Sequence, residues 1–278
     1  MVPKKRQSSE PECPLRAADD KRLPVSREEL RKTLARRGRE LGTVSSAKDA
    51  IQQRRRDFAI CLDATGSMSD IIDRAKESVR EIIARVTSET QHSIRLRLFA
   101  YRDYDVEPDI LQRSPLTSDA NELVAWLMRV TAHGGGANNG EAIEKPLEEI
   151  ALEGTYSAVL LAGDEPPNSR DHLDQIGRAE TLTAFDWATR LGKTHTPVHT
   201  FVVRDDPKAV SDFERIAKLS GGHAGKLDGS REMIDLAVMA ILSRLTGVSG
   251  VTNYAAGRQL SHNAERFKQQ LLGGPQEK

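Results

Sequence analysis

Cysteine is nearly missing from this chain of 278 residues, which has only Cys13 and Cys61. Two isolated thiols exclude a disulfide framework and a CxxC metal clip, and Cys61, inside the apolar run FAICL, reads as a core residue. Long hydrophobic runs are also lacking. None approaches the roughly 20 apolar residues of a membrane-spanning helix, and the opening MVPKKRQSSEPECP has no apolar stretch of the secretory kind. Cytoplasmic residence without membrane attachment is the expectation. Net charge is absent overall, with 41 Lys and Arg against 41 Asp and Glu. The balance is uneven along the chain, because residues 1–56 hold 16 basic against 8 acidic side chains. A basic arm thus precedes an acidic body, and it either docks on that body or reaches nucleic acid or an acidic partner.

What is present is a hydrophobic fraction of 38%, enough for one sizeable packed domain with extensions. Residues 1–25, rich in Pro, Ser and charge, read as a disordered tail. Residues 26–56 read as a basic helical extension, opened by the capping pattern of Ser26 and Glu29 and closed by the Arg54-Arg55-Arg56 run. From Asp57 to Gly247, strands alternate with helices. FAICLD (58–63) and SAVLLAGD (157–164) are apolar runs of strand length, each ending in Asp, as expected of parallel strands buried on both faces. SIRLRLFAY (93–101) alternates and belongs nearer an edge, ILQRSPL (110–116) is a short edge strand, VHTFVV (198–203) is a further strand, and His223–Leu227 is a weak one. One long helix is expected over Leu173–Leu191, and another after Asp206-Pro207. The expected fold is a doubly wound, mostly parallel six-stranded α/β sheet. Residues 248–278 form a C-terminal helical tail whose apolar points, Leu260, Phe267, Leu271 and Leu272, leave its packing partner open.

In such sheets, ligands bind beyond the C-terminal strand ends where the strand order reverses, so Asp63 and Asp164 are candidates to share one crevice. Asp63, Thr65 and Ser67 offer a carboxylate and two hydroxyls within one turn, the hard oxygen donors that suit a divalent ion such as Mg²⁺. The glycine loop GGGANNGE (134–141) lets the backbone come close. Asp63-Ala64-Thr65-Gly66-Ser67-Met68, Tyr101-Arg102-Asp103, the triple glycine and Ala162-Gly163-Asp164-Glu165-Pro166-Pro167 occur in this order. Together they resemble the von Willebrand factor A domain family, especially its intracellular subset that includes the A domain of alpha-kinase-type proteins.

That resemblance covers about residues 57–247 and implies a metal-ion-dependent adhesion site of the D-x-S/T-x-S kind. It implies Asp63, Thr65, Ser67 and Asp164 as metal ligands, with Mg²⁺ the expected cofactor and Mn²⁺ or Ca²⁺ as alternatives. The second loop departs from the family's pattern: Ala137 stands where Thr or Asp is expected, leaving Asn138 as a neutral ligand and Asn139 or Glu141 to act through water. The resemblance further implies reversible protein binding, with a partner's Asp or Glu completing the ion, in a larger regulatory, stress or defence assembly.

Arg102, Asp103, His133 and Glu165 are expected on the partner-binding rim around the site. His195 and His199 do not suit a zinc pair, since Pro197 between them excludes a helix and four residues of strand span roughly 13 Å. Trp126 and Trp187 read as packing residues. A non-enzyme is expected. A phosphatase of the haloacid-dehalogenase kind would need a second carboxylate where Thr65 stands, the glycine loop has no P-loop lysine, and no GxSxG elbow is present. The alternatives are a metal-dependent phosphohydrolase or phosphotransferase, and a metal-independent scaffold whose residues 1–56 contact nucleic acid.

Overall fold

The computed structural model describes residues 56–135 and 140–273. The tail expected over 1–25 and the extension expected over 26–56, apart from its last residue, lie outside the described residues, as do Ala137, Asn138 and Asn139.

β1 (Asp57–Asp63) is buried along its whole length. Alternate side chains enter two cores, Phe58, Ile60 and Leu62 on one side and Ala59 and Cys61 on the other, which is why the run is continuously apolar. β2 (Arg95–Tyr101) and β4 (Ala158–Gly163) flank it in parallel. β5 (Val198–Val202) and β6 (Ala224–Lys226) extend the parallel sheet on the β4 side, and β3 (Leu111–Arg113) closes the other edge antiparallel to β2. The six strands run in the order β3-β2-β1-β4-β5-β6. The mostly parallel α/β sheet expected from sequence is therefore the observed one.

One face of the sheet is covered by α1 (Ser69–Thr90), α2 (Ala120–Leu127) and α7 (Ser230–Leu245). The opposite face is covered by α3 (Glu144–Glu153), α5 (Ala184–Lys193) and α6 (Pro207–Ser220). α6 opens as its sequence dictates: the Asp206 carboxylate accepts from the Ala209 N–H at 2.7 Å, and Pro207 takes the first turn, where no N–H is needed.

The single helix expected over Leu173–Leu191 is two. α4 (Arg170–Gln175) stops just before Gly177, whose φ of +74° reverses the chain. α5 begins afresh where Thr183 and Asp186 cap each other reciprocally. That T-x-x-D box was readable in the sequence and outranks the apolar spacing across it.

α8 (Gly247–Ala255) and α9 (His262–Leu271) follow α7, and they join the core. Tyr254 and Phe267 are fully buried, with Phe267 edge-on to Phe201 at 5.4 Å and to His199 at 5.8 Å. Polar contacts fasten α8 and the α8–α9 link to α7. The Tyr254 hydroxyl donates to Asp235 at 2.6 Å, Arg85 pairs with the same carboxylate at 2.8 Å, and Ser261 bonds Glu232. Both tryptophans are core residues, and buried His199 and exposed His195 share no ligand geometry.

Candidate metal centre

Asp63 ends β1 opposite Tyr101 of β2, and the Leu62–Ala162 pairing with β4 places Asp164 just beyond the neighbouring strand end. The order of the sheet reverses between these two strands, so both carboxylates sit at its switch point, as the strand-end rule predicts. Both are buried, as is Thr65, while Ser67 is exposed on the outer side of the turn.

The turn is held by its own side chains. Asp63 Oδ1 accepts from the Thr65 N–H at 2.8 Å and from Thr65 Oγ1 at 2.7 Å, and the Thr65 and Ser67 hydroxyls lie 3.3 Å apart. This fixes the carboxylate's orientation and leaves its other oxygen, Oδ2, without a hydrogen bond. Neither oxygen of Asp164 receives a hydrogen bond either. Burial pushes the Asp63 carboxyl up from its ordinary range, and the neighbouring Asp164 pushes it further, against the Thr65 hydrogen bonds that pull it down.

The glycine loop docks on this turn. The Gly66 N–H donates to the Gly134 carbonyl at 3.1 Å, and the His133 N–H donates to the Ala64 carbonyl at 3.0 Å. Gly135, with φ of +82°, lies so close that a Cβ there would stand 2.8 Å from Thr65 Cβ and 2.9 Å from Glu141 Oε1. Glu141 is thereby brought beside Thr65 with its Oε2 unpartnered. Its carboxyl is also pushed up, first by burial and then by Asp63, Asp103 and Asp164. The backbone of Glu141 is pinned on both sides, donating to the Pro166 carbonyl at 2.9 Å and accepting from the Asn168 N–H at 3.0 Å. Asn138 lies outside the described residues.

Of the expected rim, Arg102 and Asp103 are buried rather than presented outward. The Arg102 guanidinium donates to the main-chain carbonyls of Asp109 at 2.9 Å and Thr131 at 2.7 Å, tying the segments that lead into β3 and into the glycine loop to the end of β2, and its burial lowers its pKa. Asp103 accepts from Asn168 Nδ2 at 2.7 Å. These side chains pin the loops that form the centre. His133 and Glu165 are half-buried, and the Glu165 carboxyl is pushed up by burial and by Asp164.

Sequence reasoning missed Arg204, in the loop after β5. Its Nε lies 3.4 Å from Asp164 Oδ2, and its guanidinium donates to the Ser67 carbonyl at 3.0 Å. The signal was available: Arg204 stands just past the end of a third parallel strand, at the edge of the sheet already singled out.

Three carboxylate oxygens without a hydrogen-bond donor, one of them ion-paired to Arg204, and two hydroxyls gathered at two adjacent strand ends fit a hard divalent ion, which takes oxygen ligands and retains waters. Among the described residues, no three His, Cys, Asp or Glu side chains form a metal-holding group. An ion here would therefore draw on Thr65 and Ser67 as well as on the carboxylates.

The von Willebrand factor A domain model matches residues 57–228. A protein of Acanthamoeba polyphaga mimivirus, described as ariadne-like with a RING finger, is 25% identical over 225 residues, which are 75% of this chain and 22% of that protein. The chain thus spans under a quarter of that relative's length. Among solved structures, the pilus adhesin SpaC of Lactobacillus rhamnosus GG in its open conformation superposes with a TM-score of 0.50 at 12% identity, over 68% of this chain and 30% of that one. The SpRpn10 VWA domain gives 0.46 at 10% identity, over 66% and 94%. At 12% identity the likeness to the adhesin is one of fold.

Proposed function

The chain belongs to the von Willebrand factor A domain family, and from that premise we propose that it is a binding module recruiting a protein partner through a divalent cation. Mg²⁺ is the cation proposed, with Mn²⁺ or Ca²⁺ as substitutes. One observation carries the reading: Asp63 Oδ2 and both oxygens of Asp164 are buried without a hydrogen-bond donor. Leaving buried carboxylate oxygens unsatisfied is costly, and a positive charge supplied from outside offsets that cost.

Asp63 and Asp164 would hold the ion with the oxygens that lack a hydrogen-bond donor, Thr65 and Ser67 with their hydroxyls, and Asn138 from the glycine loop. A bound cation supplies a Lewis-acidic position for an incoming carboxylate. The Thr65 hydrogen bonds keep the Asp63 carboxylate from rotating, and the Gly135 approach holds Glu141 beside the hydroxyls. Arg102 and Asp103 brace the loops. The partner offers an Asp or Glu side chain, and its recognition is reversible because no covalent chemistry is involved.

The module is a non-enzyme in this reading, since Thr65 stands where a phosphatase of the haloacid-dehalogenase kind needs its second carboxylate. We place it in the cytoplasm as an adaptor or subunit of a larger regulatory, stress or defence assembly. Among the described residues, no helix is long and apolar enough to cross a membrane.

The test is recovery of the partner on the immobilised 278-residue chain in Mg²⁺ and its release by EDTA. A partner that stays bound in EDTA, or binds the Asp63→Ala chain equally, contradicts the proposal. Turnover of a phosphate ester that requires the cation would replace it with the enzyme reading.

A further inference from the structure

The Arg204 side chain is 57% exposed, yet its tip is engaged at the centre. Its Nε stands 3.4 Å from Asp164 Oδ2, and it donates to the Ser67 main-chain carbonyl at 3.0 Å. One guanidinium thus links the turn after β1, with Asp63, Thr65 and Ser67, to the strand end of β4, with Asp164.

We propose that Arg204 is an intramolecular competitor at the centre: its guanidinium and a divalent cation are alternative partners of Asp164, and the arginine must swing outward for the cation to bind. The inference rests on the cation-binding reading above. The guanidinium serves Asp164 only in part, because at 3.4 Å it forms an ion pair without a hydrogen bond, and it leaves Asp63 Oδ2 without a donor. A small divalent ion can meet oxygens from both strand ends at once. Two positive centres sharing one carboxylate repel each other. The arginine is the one able to leave, since its arm is exposed and held by a single hydrogen bond and a loose ion pair. Apparent cation affinity is then reduced by the fraction of molecules in which Arg204 covers Asp164.

The experiment is Mn²⁺ titration of the 278-residue chain, following the free-Mn²⁺ electron paramagnetic resonance signal, for wild type, Arg204→Gln, Arg204→Lys and Asp63→Asn. Arg204→Gln is expected to bind about two- to fivefold more tightly than wild type, the size of one partly exposed ion pair. Arg204→Lys, which keeps the charge but loses the fork that spans both segments, is expected between them. Equal or weaker binding by Arg204→Gln, with wild type binding saturably and Asp63→Asn not, overturns the competition while leaving the cation site standing. If wild type shows no saturable binding and Arg204→Gln does, the competitor role holds in its strongest form. If neither binds, both readings fall.

Discussion

Asp63 has two oxygens in two different situations, and the difference predicts how substitutions behave. Oδ1 is satisfied by Thr65, while Oδ2 is buried without a donor and faces the charge of Asp164. Asp63→Asn keeps the acceptor for Thr65, removes a desolvated charge and turns an N–H group toward Asp164. It should stabilise the cation-free chain by about 1–3 kcal/mol in urea denaturation, while weakening cation binding tenfold or more. A variant less stable than wild type in EDTA would argue against the strained carboxylate pair. Gly135→Ala should act in the opposite direction. A Cβ 2.8 Å from Thr65 Cβ, at a φ of +82°, forces the glycine loop off the turn, costing about 1–3 kcal/mol and losing cation affinity together with stability. At this scale, the placement of Asp63 and Asp164 at neighbouring strand ends, with Thr65 and Ser67 in the turn that follows, was legible because strand-end position follows from apolar runs that periodicity exposes. Arg204 escaped because its role depends on where a loop folds back. Arg102 and Asp103 looked like rim residues because chain position says nothing about which way a side chain turns.

Among the elements, the strands were the most legible. β1 and β4 are buried on both faces and therefore continuously apolar, whereas β6, three residues of partly exposed chain, left only a weak trace. The stretch from 173 to 191 was misread because apolar spacing continues across a break set by local chemistry, with Gly177 ending one helix and the Thr183–Asp186 box starting the next. The end of the chain gave apolar points but no address. In the structure, α9 lays Phe267 against Phe201, His199 and His223, so the helix seals one side of the sheet beside β6. Phe267→Ala should cost about 3–5 kcal/mol, seen as a lowered denaturation midpoint. A change below about 1 kcal/mol would mean that α9 is detached in solution.

For the molecule as a whole, pH acts through buried groups of opposite sign. His199 is buried with Nε2 unpartnered and stacks on His223 at 5.7 Å, and burial lowers its pKa to about 3. Below about 6.5 the unfolded histidine takes up a proton that the native one refuses, so stability is full above that pH and falls toward pH 3. Glu144 works in reverse: burial pushes it up to about 7, so the native state gains protons, and relative stability, as pH falls through 7. A difference measurement separates them. Between pH 7.5 and 5.0, wild type should lose about 2 kcal/mol more than His199→Asn, measured by urea denaturation with Mg²⁺ absent. Parallel pH profiles for the two chains would contradict the burial of a neutral His199. The central claim concerns the switch point of the sheet, and calorimetric titration of wild type and Asp63→Ala with Mg²⁺ and Mn²⁺ tests it most directly. The account predicts one saturable site in wild type that is lost in Asp63→Ala, and equal behaviour of the two chains would contradict it.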